Sequence, residues 1–108
     1  MQQDRRGAGK LVARAMKERD SAETVALTAL AWVLGPSGLS DVFLGASGLA
    51  PQDLRQRAGD PEVLAAVLDF VMMDDAWVLA LAQAEGLAPD SLARARAALP
   101  GGDLPHWT

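Results

Sequence analysis

The sequence predicts an all-α fold, a compact bundle of about six short helices built from two three-helix repeats. The first observation is an internal repeat: Gly-Leu-Ala-Pro-Gln-Asp-Leu at residues 48–54 returns 38 positions later as Gly-Leu-Ala-Pro-Asp-Ser-Leu at 86–92. The same offset aligns residues 22–59 with 60–97, and repeats of this period indicate supersecondary units that pack on each other. The other observations are dense helix start and stop signals and no period-two alternation outside them.

The first predicted helix is capped by Ser21 and runs to Leu34. It is apolar from Val25 to Leu34 apart from Thr28, and a helix that is apolar all round is typical of a buried one. Gly35-Pro36 ends it, and Ser37 is expected to cap the second helix. We expect Val25–Leu34 to pack against the corresponding segment of the second unit, Val63–Met73.

The remaining helices are bounded by glycines, prolines and acidic caps. Gly48 stands where a left-handed residue is wanted after a helix, and Pro51 suits the first position of a short third helix. Gly59 closes that helix, and Asp60-Pro61 begins the fourth with a capping carboxylate and a first-turn proline.

The repeat decides whether the next apolar stretch is one helix or two. Residues 73–76 align with residues 35–38, so we expect a break there, with Asp74 as the cap of the fifth helix. Gly86 and Pro89 then bound a sixth helix of about ten residues, which Pro100 closes.

Charge divides the chain into a basic leader (residues 1–20), a helical domain (21–99) and a hinge with a C-terminal tail (100–108). The leader has six basic and three acidic residues, a balance of +3, and residues 21–108 have four basic and eleven acidic residues, a balance of −7. Because charge outweighs apolar content in the leader, we expect it to be flexible.

Composition points to a cytoplasmic protein without a membrane span. There is no cysteine, so no disulfide framework is possible. The longest charge-free stretch, residues 24–40, is 17 residues long and contains Gly and Pro, whereas a membrane span needs about 20 apolar residues. The basic N-terminus is not followed by a clean apolar run, so we expect no signal peptide.

No residue pattern predicts an enzyme, a cofactor site or a metal site. The single histidine, His106, lies in a Gly/Pro-rich tail, where nothing rigid would hold it beside a nucleophile. Asp74-Asp75 is explained by helix capping better than by cation binding. Asp69 interrupts an apolar helix, and we expect it to lie on a solvent-facing strip; the alternative is a partly buried acid that lines a cleft.

Several short motifs resemble one protein family. They are Ala29-Leu30-Ala31-Trp32, the elbow from Gly48 to Arg55, the segment from Leu64 to Phe70, and the closing segment from Ala98 to Thr108. Over residues 20–108 the chain is similar to domain-of-unknown-function family 3572, a family of small alphaproteobacterial helical proteins. The resemblance implies no reaction, cofactor or catalytic residue. The resemblance also implies a role in signalling, because genes of that family often neighbour one for a single-domain response regulator.

The candidate partner-binding residues lie at the two ends of the chain. In the tail, an apolar cluster follows the glycine hinge, and we expect it to dock on a groove of the second unit, although a partner-binding peptide would show the same pattern. In the leader, basic residues would contact an anionic surface. The candidates are Leu104, His106 and Trp107 in the tail and Arg5, Arg6, Lys10 and Arg14 in the leader.

Three function hypotheses follow. The leading one is a non-catalytic protein–protein interaction module that binds an unknown partner or a second copy of itself, because core-like residues exceed what six short helices can bury. The alternative is binding of nucleic acid or an anionic surface through the leader, although the acidic body makes nucleic acid an unfavourable partner. The third is a small enzyme or apolar-ligand carrier that uses a cleft beside Asp69.

Overall fold

The computed structural model describes the backbone of residues 2–99 and the side chains of residues 17–99. Within this part of the chain there is no strand, which confirms the all-α prediction. The helices are α1 (Gln2–Leu34), α2 (Ser40–Ser47), α3 (Pro51–Arg57), α4 (Pro61–Val71), α5 (Asp75–Glu85) and α6 (Ser91–Ala98).

Helix α1 is not short, and the prediction that Ser21 caps it is wrong. The helix has 33 residues and passes through Ser21 without interruption. A helix of that length spans about 50 Å, close to the 55 Å long axis of a molecule whose other extents are 29 and 27 Å. Among the described side chains of α1, those of Lys17 to Ser21 are exposed and Ala22 is the first that is buried. Flexibility of the leader stays a prediction.

The core forms where one face of α1 meets α4 and α6. The buried positions Ala22, Ala26, Ala29 and Val33 recur every three or four residues along α1, so they lie on one side of the helix. Three of them are alanines, which allow neighbouring helices to approach closely. As predicted, α1 packs against α4, and it also makes its most extensive contact with α6.

An aromatic cluster joins α2, α4 and α5. Phe70 of α4 packs edge-to-face with Phe43, with ring centroids 5.2 Å apart, and it also contacts Trp77 with centroids 4.9 Å apart. Aromatic pairs at these separations stabilise a core beyond the area that they bury. The cluster fixes α5 to the rest of the bundle.

The predicted elbows and the predicted break are confirmed. Gly48 and Gly86 end α2 and α5 in the left-handed conformation, with φ of 75° and 66°. A residue with a Cβ is disfavoured there. Helix α4 ends at Val71 and α5 begins at Asp75, and between them Asp74 Oδ1 accepts a hydrogen bond from the Ala76 N–H at 2.8 Å.

The start of α4 follows the same capping rule. Asp60 Oδ1 accepts a hydrogen bond from the Glu62 N–H at 2.9 Å, and Pro61 occupies the first turn. That backbone hydrogen bond, together with the Arg57 guanidinium, holds the pKa of Asp60 below its ordinary value against the opposing effect of desolvation. The stabilisation it contributes is therefore present at neutral pH and lost as the pH falls through that lowered pKa.

The prediction that Ser37 caps α2 is wrong. Its hydroxyl donates to the Val33 carbonyl at 3.0 Å and accepts from the Leu39 N–H at 3.0 Å, which closes the turn after α1. Helix α2 begins at Ser40, and the preceding Leu39 offers no side-chain cap. The serine therefore ends one helix rather than beginning the next.

The two proposed repeats share the order of their helices but not their packing. Shifted by 38 positions, α2 and α3 fall on α5 and α6, as the repeat requires. However, α6 packs against both α1 and α4, whereas α3 contacts its neighbours only sparsely. Superposition of the two units stays a prediction.

Shortening a core side chain should destabilise the bundle far more than shortening an exposed one. Leu68 is fully buried in α4, so we expect Leu68→Ala to lower the free energy of unfolding by about 2–5 kcal/mol. Leu79, with 55% of its side chain exposed, is the matched control, and Leu79→Ala should cost less than about 1 kcal/mol. Chemical denaturation followed by circular dichroism measures both, and equal losses would contradict the described core.

Removing the capping carboxylate of Asp74 should destabilise the protein more than removing the neighbouring carboxylate of Asp75. Asp74→Ala removes the hydrogen bond to the Ala76 N–H and should cost about 0.5–2 kcal/mol of folding stability. Asp75→Ala keeps that bond and loses only a first-turn charge, which is worth about 0.3–1 kcal/mol. If Asp75→Ala destabilised the protein more than Asp74→Ala, the assigned cap would be wrong.

Candidate interaction surfaces

The partner-binding residues predicted from the sequence are not placed by the structure. Leu104, His106 and Trp107, and with them the predicted docking of the tail, lie outside the described residues. Arg5, Arg6, Lys10 and Arg14 belong to the helical backbone of α1, but their side chains lie outside the described part.

The described part does contain an exposed apolar face on α1. Leu27 and Leu34 each expose 44% of their surface, and Ala31 between them is also exposed. Val25–Leu34 is therefore not buried all round, contrary to the prediction. Thr24 begins the same face, and the four residues follow one another at intervals of three, four and three residues.

The polar groups on this part of α1 are satisfied by the helix itself. The Thr24 hydroxyl donates to the Asp20 carbonyl at 3.0 Å, and the Thr28 hydroxyl donates to the Thr24 carbonyl at 2.9 Å. No charged residue occurs in the sequence between Glu23 and Asp41. What the outward face of α1 presents to water is thus apolar and uncharged over about three turns.

A groove continues this face onto α2 and α3. It has a volume of about 450 Å³, and Leu34 belongs both to the groove and to the exposed face of α1. Asp41 and Arg55 place one charge of each sign at its rim. The groove is lined mainly by apolar side chains, among them Leu30, Leu34, Leu44, Pro51, Leu54 and Ala58.

A second exposed apolar face lies on α5. Ala76, Leu79, Ala80 and Ala84 are exposed at helical spacing, and Gln83 is the polar residue among them. Met73, in the turn before α5, exposes 73% of its surface. The opposite side of α5 is anchored in the bundle by residues such as Trp77 and Leu81.

Acidic residues border the α5 face. Asp75 is in the first turn of α5, and Glu85 is its last residue; both are exposed. Asp74 lies in the turn that precedes them. The α5 face, defined here as Ala76, Leu79, Ala80, Gln83 and Ala84, is therefore an uncharged, mainly apolar strip with carboxylates at its two ends.

Another groove lies between α1 and α6 and is of mixed character. It measures about 740 Å³ and is lined by small apolar residues such as Ala22, Ala95 and Ala98 together with charged Lys17 and Arg94. Arg94 Nε is also 3.6 Å from Asp90 Oδ2, and Asp90 is the residue that immediately precedes α6. Its charged rim distinguishes this groove from the apolar faces of α1 and α5.

Asp69 lies on the solvent-facing side of α4, as predicted. Its side chain is 57% exposed, and its Oδ1 accepts a hydrogen bond from Arg96 Nε at 2.7 Å. The Arg96 side chain is only 17% exposed, so the pair links α4 to α6 at the edge of the core. Asp69 lines neither of the grooves described above.

Within the described part of the chain, no three His, Cys, Asp or Glu side chains come together in a group that could hold a metal ion. None of the described helices combines the length and the hydropathy needed to cross a membrane.

The exposed faces of α1 and α5 were not predicted from the sequence, because hydrophobicity alone does not show which side of an apolar helix is buried. The usable signal was the interval of three, four and three residues that joins Thr24, Leu27, Ala31 and Leu34. This spacing is typical of a helix–helix seam. On α5, the exposed alanines follow the same helical periodicity.

Ser91 offers a test of the α1–α6 packing. Its hydroxyl is buried and has no hydrogen-bond partner within the described residues. An unsatisfied buried hydroxyl costs about 1–3 kcal/mol, so Ser91→Ala should leave the free energy of unfolding unchanged or raise it. Ser47→Ala is the control, because the Ser47 hydroxyl accepts from the Leu49 N–H at 3.2 Å. A loss of more than about 1 kcal/mol in Ser91→Ala would contradict this packing.

Comparison with known proteins identifies the family and adds no activity. The family model described as "Protein of unknown function (DUF3572)" matches residues 19–102, and the chain therefore belongs to the DUF3572 family. The resemblance found in the sequence is thus confirmed. No curated protein and no solved structure matches the chain.

Proposed function

We propose that this member of the DUF3572 family is a non-catalytic protein–protein interaction module whose α5 face binds a partner protein. The observation that carries the proposal is the uncharged, mainly apolar strip on α5, in which Leu79 is 55% exposed. Burying a side chain of this size contributes about 1.5–3 kcal/mol, so a partner that covers Leu79 gains appreciable affinity. Exposed apolar strips of this kind mark interaction sites.

Capping and core contacts hold the helix that carries the α5 face. Asp74 caps the helix, Gly86 ends it, and Trp77 stacks on Phe70 in the core. A surface that is already ordered loses little conformational entropy on binding, which favours affinity. The binding strip is thus a preformed part of the fold.

Charge specifies the kind of partner. Carboxylates border the α5 face, and residues 21–108 together have a balance of −7. Charges of opposite sign at the rim of an interface accelerate association and exclude wrong partners. The proposed partner therefore presents an apolar patch, such as one face of an amphipathic helix, that is bordered by Lys or Arg.

Photocrosslinking in native extract tests this proposal. A photoreactive residue at position 79 should capture a protein, and one at position 56, on the exposed surface of α3, should not. The captured protein is then titrated, as purified protein, with variants of the full chain. Leu79→Glu should weaken binding at least about tenfold, whereas Gln56→Glu, which adds the same charge elsewhere, should leave it unchanged.

Equal capture at positions 79 and 56, or equal binding by the two glutamate variants, would contradict a role for the α5 face. Folding of each variant is checked by circular dichroism, since both positions are exposed and neither substitution should alter the helix content.

Contact with nucleic acid or an anionic surface is a second candidate function. The observation that favours it is that α1 continues as one helix through residues 2–20, with positions 6, 10 and 14 four residues apart on one side. Replacing Arg6, Lys10 and Arg14 together with Glu should then abolish binding to a DNA duplex at low salt, and Leu79→Glu should not affect it. Absence of salt-dependent binding by the unmodified chain would rule this candidate out.

A further inference from the structure

The exposed face of α1 is complementary in size to a reversed copy of itself. Smaller and larger side chains alternate along its length, in the order Thr24, Leu27, Ala31 and Leu34. When two copies of α1 run antiparallel and cross at the level of Ala29, Leu27 of each faces Ala31 of the other. In the same arrangement, Leu34 of each faces Thr24 of the other. Every contact then pairs a large side chain with a smaller one, which is how facing helices interdigitate.

From this we infer that two copies of the chain pair through the α1 face in an antiparallel, two-fold symmetric dimer. The inference rests on the proposed function, since it identifies a second copy as the partner of one apolar surface of the interaction module. A two-fold axis requires one patch to match itself, and the inverted order of large and small residues meets that requirement.

Charge favours the antiparallel arrangement over the parallel one. Parallel pairing would place two leaders, each with a balance of +3, side by side. Antiparallel pairing directs the two leaders to opposite ends of the seam, each past the C-terminal end of the other copy's α1. The two basic leaders are thereby separated, whereas the acidic bodies flank the seam in either orientation.

The seam itself contains nothing that opposes contact. Between Glu23 and Asp41 there is no charged residue to desolvate, and the Thr24 hydroxyl already donates within its own helix. Thr24 can therefore present its methyl group to Leu34 of the second copy without leaving a polar atom unsatisfied. Pairing along the seam therefore buries no charge and leaves no hydroxyl without a hydrogen-bond partner.

The size of the seam sets the expected affinity. Residues 24–34 extend along about 15 Å of helix, and such a contact falls below the roughly 800 Å² per partner that a stable complex buries. The adjoining groove, which begins at Leu34, and the leader of the opposite copy add further area. We therefore expect a reversible dimer with a dissociation constant of about 1–100 μM.

Analytical ultracentrifugation of the full chain across that concentration range tests the dimer, and a residue swap tests its register. Leu27→Ala leaves two alanines facing each other, and Ala31→Leu forces two leucines together. Because each contact occurs twice per dimer, either substitution should raise the dissociation constant at least about tenfold. The double variant Leu27→Ala/Ala31→Leu restores one leucine opposite one alanine and should return to within about threefold of the original value.

Cysteine pairing tests the orientation, because the chain has no cysteine of its own. A mixture of L27C and A31C should form the mixed disulfide under mild oxidation, since these positions face each other across the antiparallel seam. Circular dichroism confirms that each variant remains folded. Leu79→Glu, on the other apolar face, is the control and should dimerise normally.

A monomer at every concentration, or a double variant as weak as the single ones, would overturn the inference. So would symmetric L27C and A31C disulfides in place of the mixed one, because they indicate parallel pairing. Crosslinking of a partner at position 79 is unaffected by any of these results, so failure of the dimer and failure of the proposed function are told apart.

Discussion

The packing of the alanine-lined face of α1 against α4 and α6 is the constraint on which the rest of the structure depends. Ala22, Ala26 and Ala29 bring no bulk to the contact, so the backbones of neighbouring helices can approach closely, and larger buried residues of α4 and α6, such as Leu68 and Leu92, belong to the same core cluster. Because each alanine buries little area itself, the stability of the contact comes mainly from what α4 and α6 place around it.

This constraint explains why apolar residues remain in water. Once the small face of α1 is chosen for the core, the leucines at 27 and 34 must point the other way, since they lie on the opposite side of the helix. The same holds on α5, where Trp77 and Leu81 turn inward and Leu79 is left outside. The exposed faces of α1 and α5, to which we assign binding roles, thus result from burial of the opposite side of each helix in the core.

Most features that could be predicted from the sequence are helix ends, which depend on a few neighbouring residues. The ends of α2 and α5 depend on glycines that adopt positive φ, and the break before α5 depends on one carboxylate, so each could be predicted from a few neighbouring residues. The Ser21 cap failed because serine inside a helix costs only a few tenths of a kcal/mol, which does not stop a helix whose preceding residues are Lys17, Glu18 and Arg19.

The sidedness of the helices could not be predicted, because it depends on contacts between distant segments. Val25–Leu34 is apolar on every side, and only the positions of α4 and α6 decide which of its residues are covered. Charge and composition had indicated candidate binding residues at the two ends of the chain. The candidate binding surfaces in the structure are instead the exposed faces of α1 and α5, which depend on the same distant contacts. The 38-residue repeat predicted the order of the helices and the Gly48 and Gly86 elbows, but packing around α3 and α6 differs.

The central claim is that the apolar faces of α1 and α5 are in water in the folded monomer. The most direct measurement is nuclear magnetic resonance of the side-chain methyl groups in a dilute sample with a soluble paramagnetic probe. We predict strong broadening of the methyl signals of Leu27, Leu34 and Leu79 and little effect on those of Leu68 and Leu81, which are fully buried. Protection of Leu27, Leu34 and Leu79 to the same degree as Leu68, in a sample shown to be monomeric, would contradict the account.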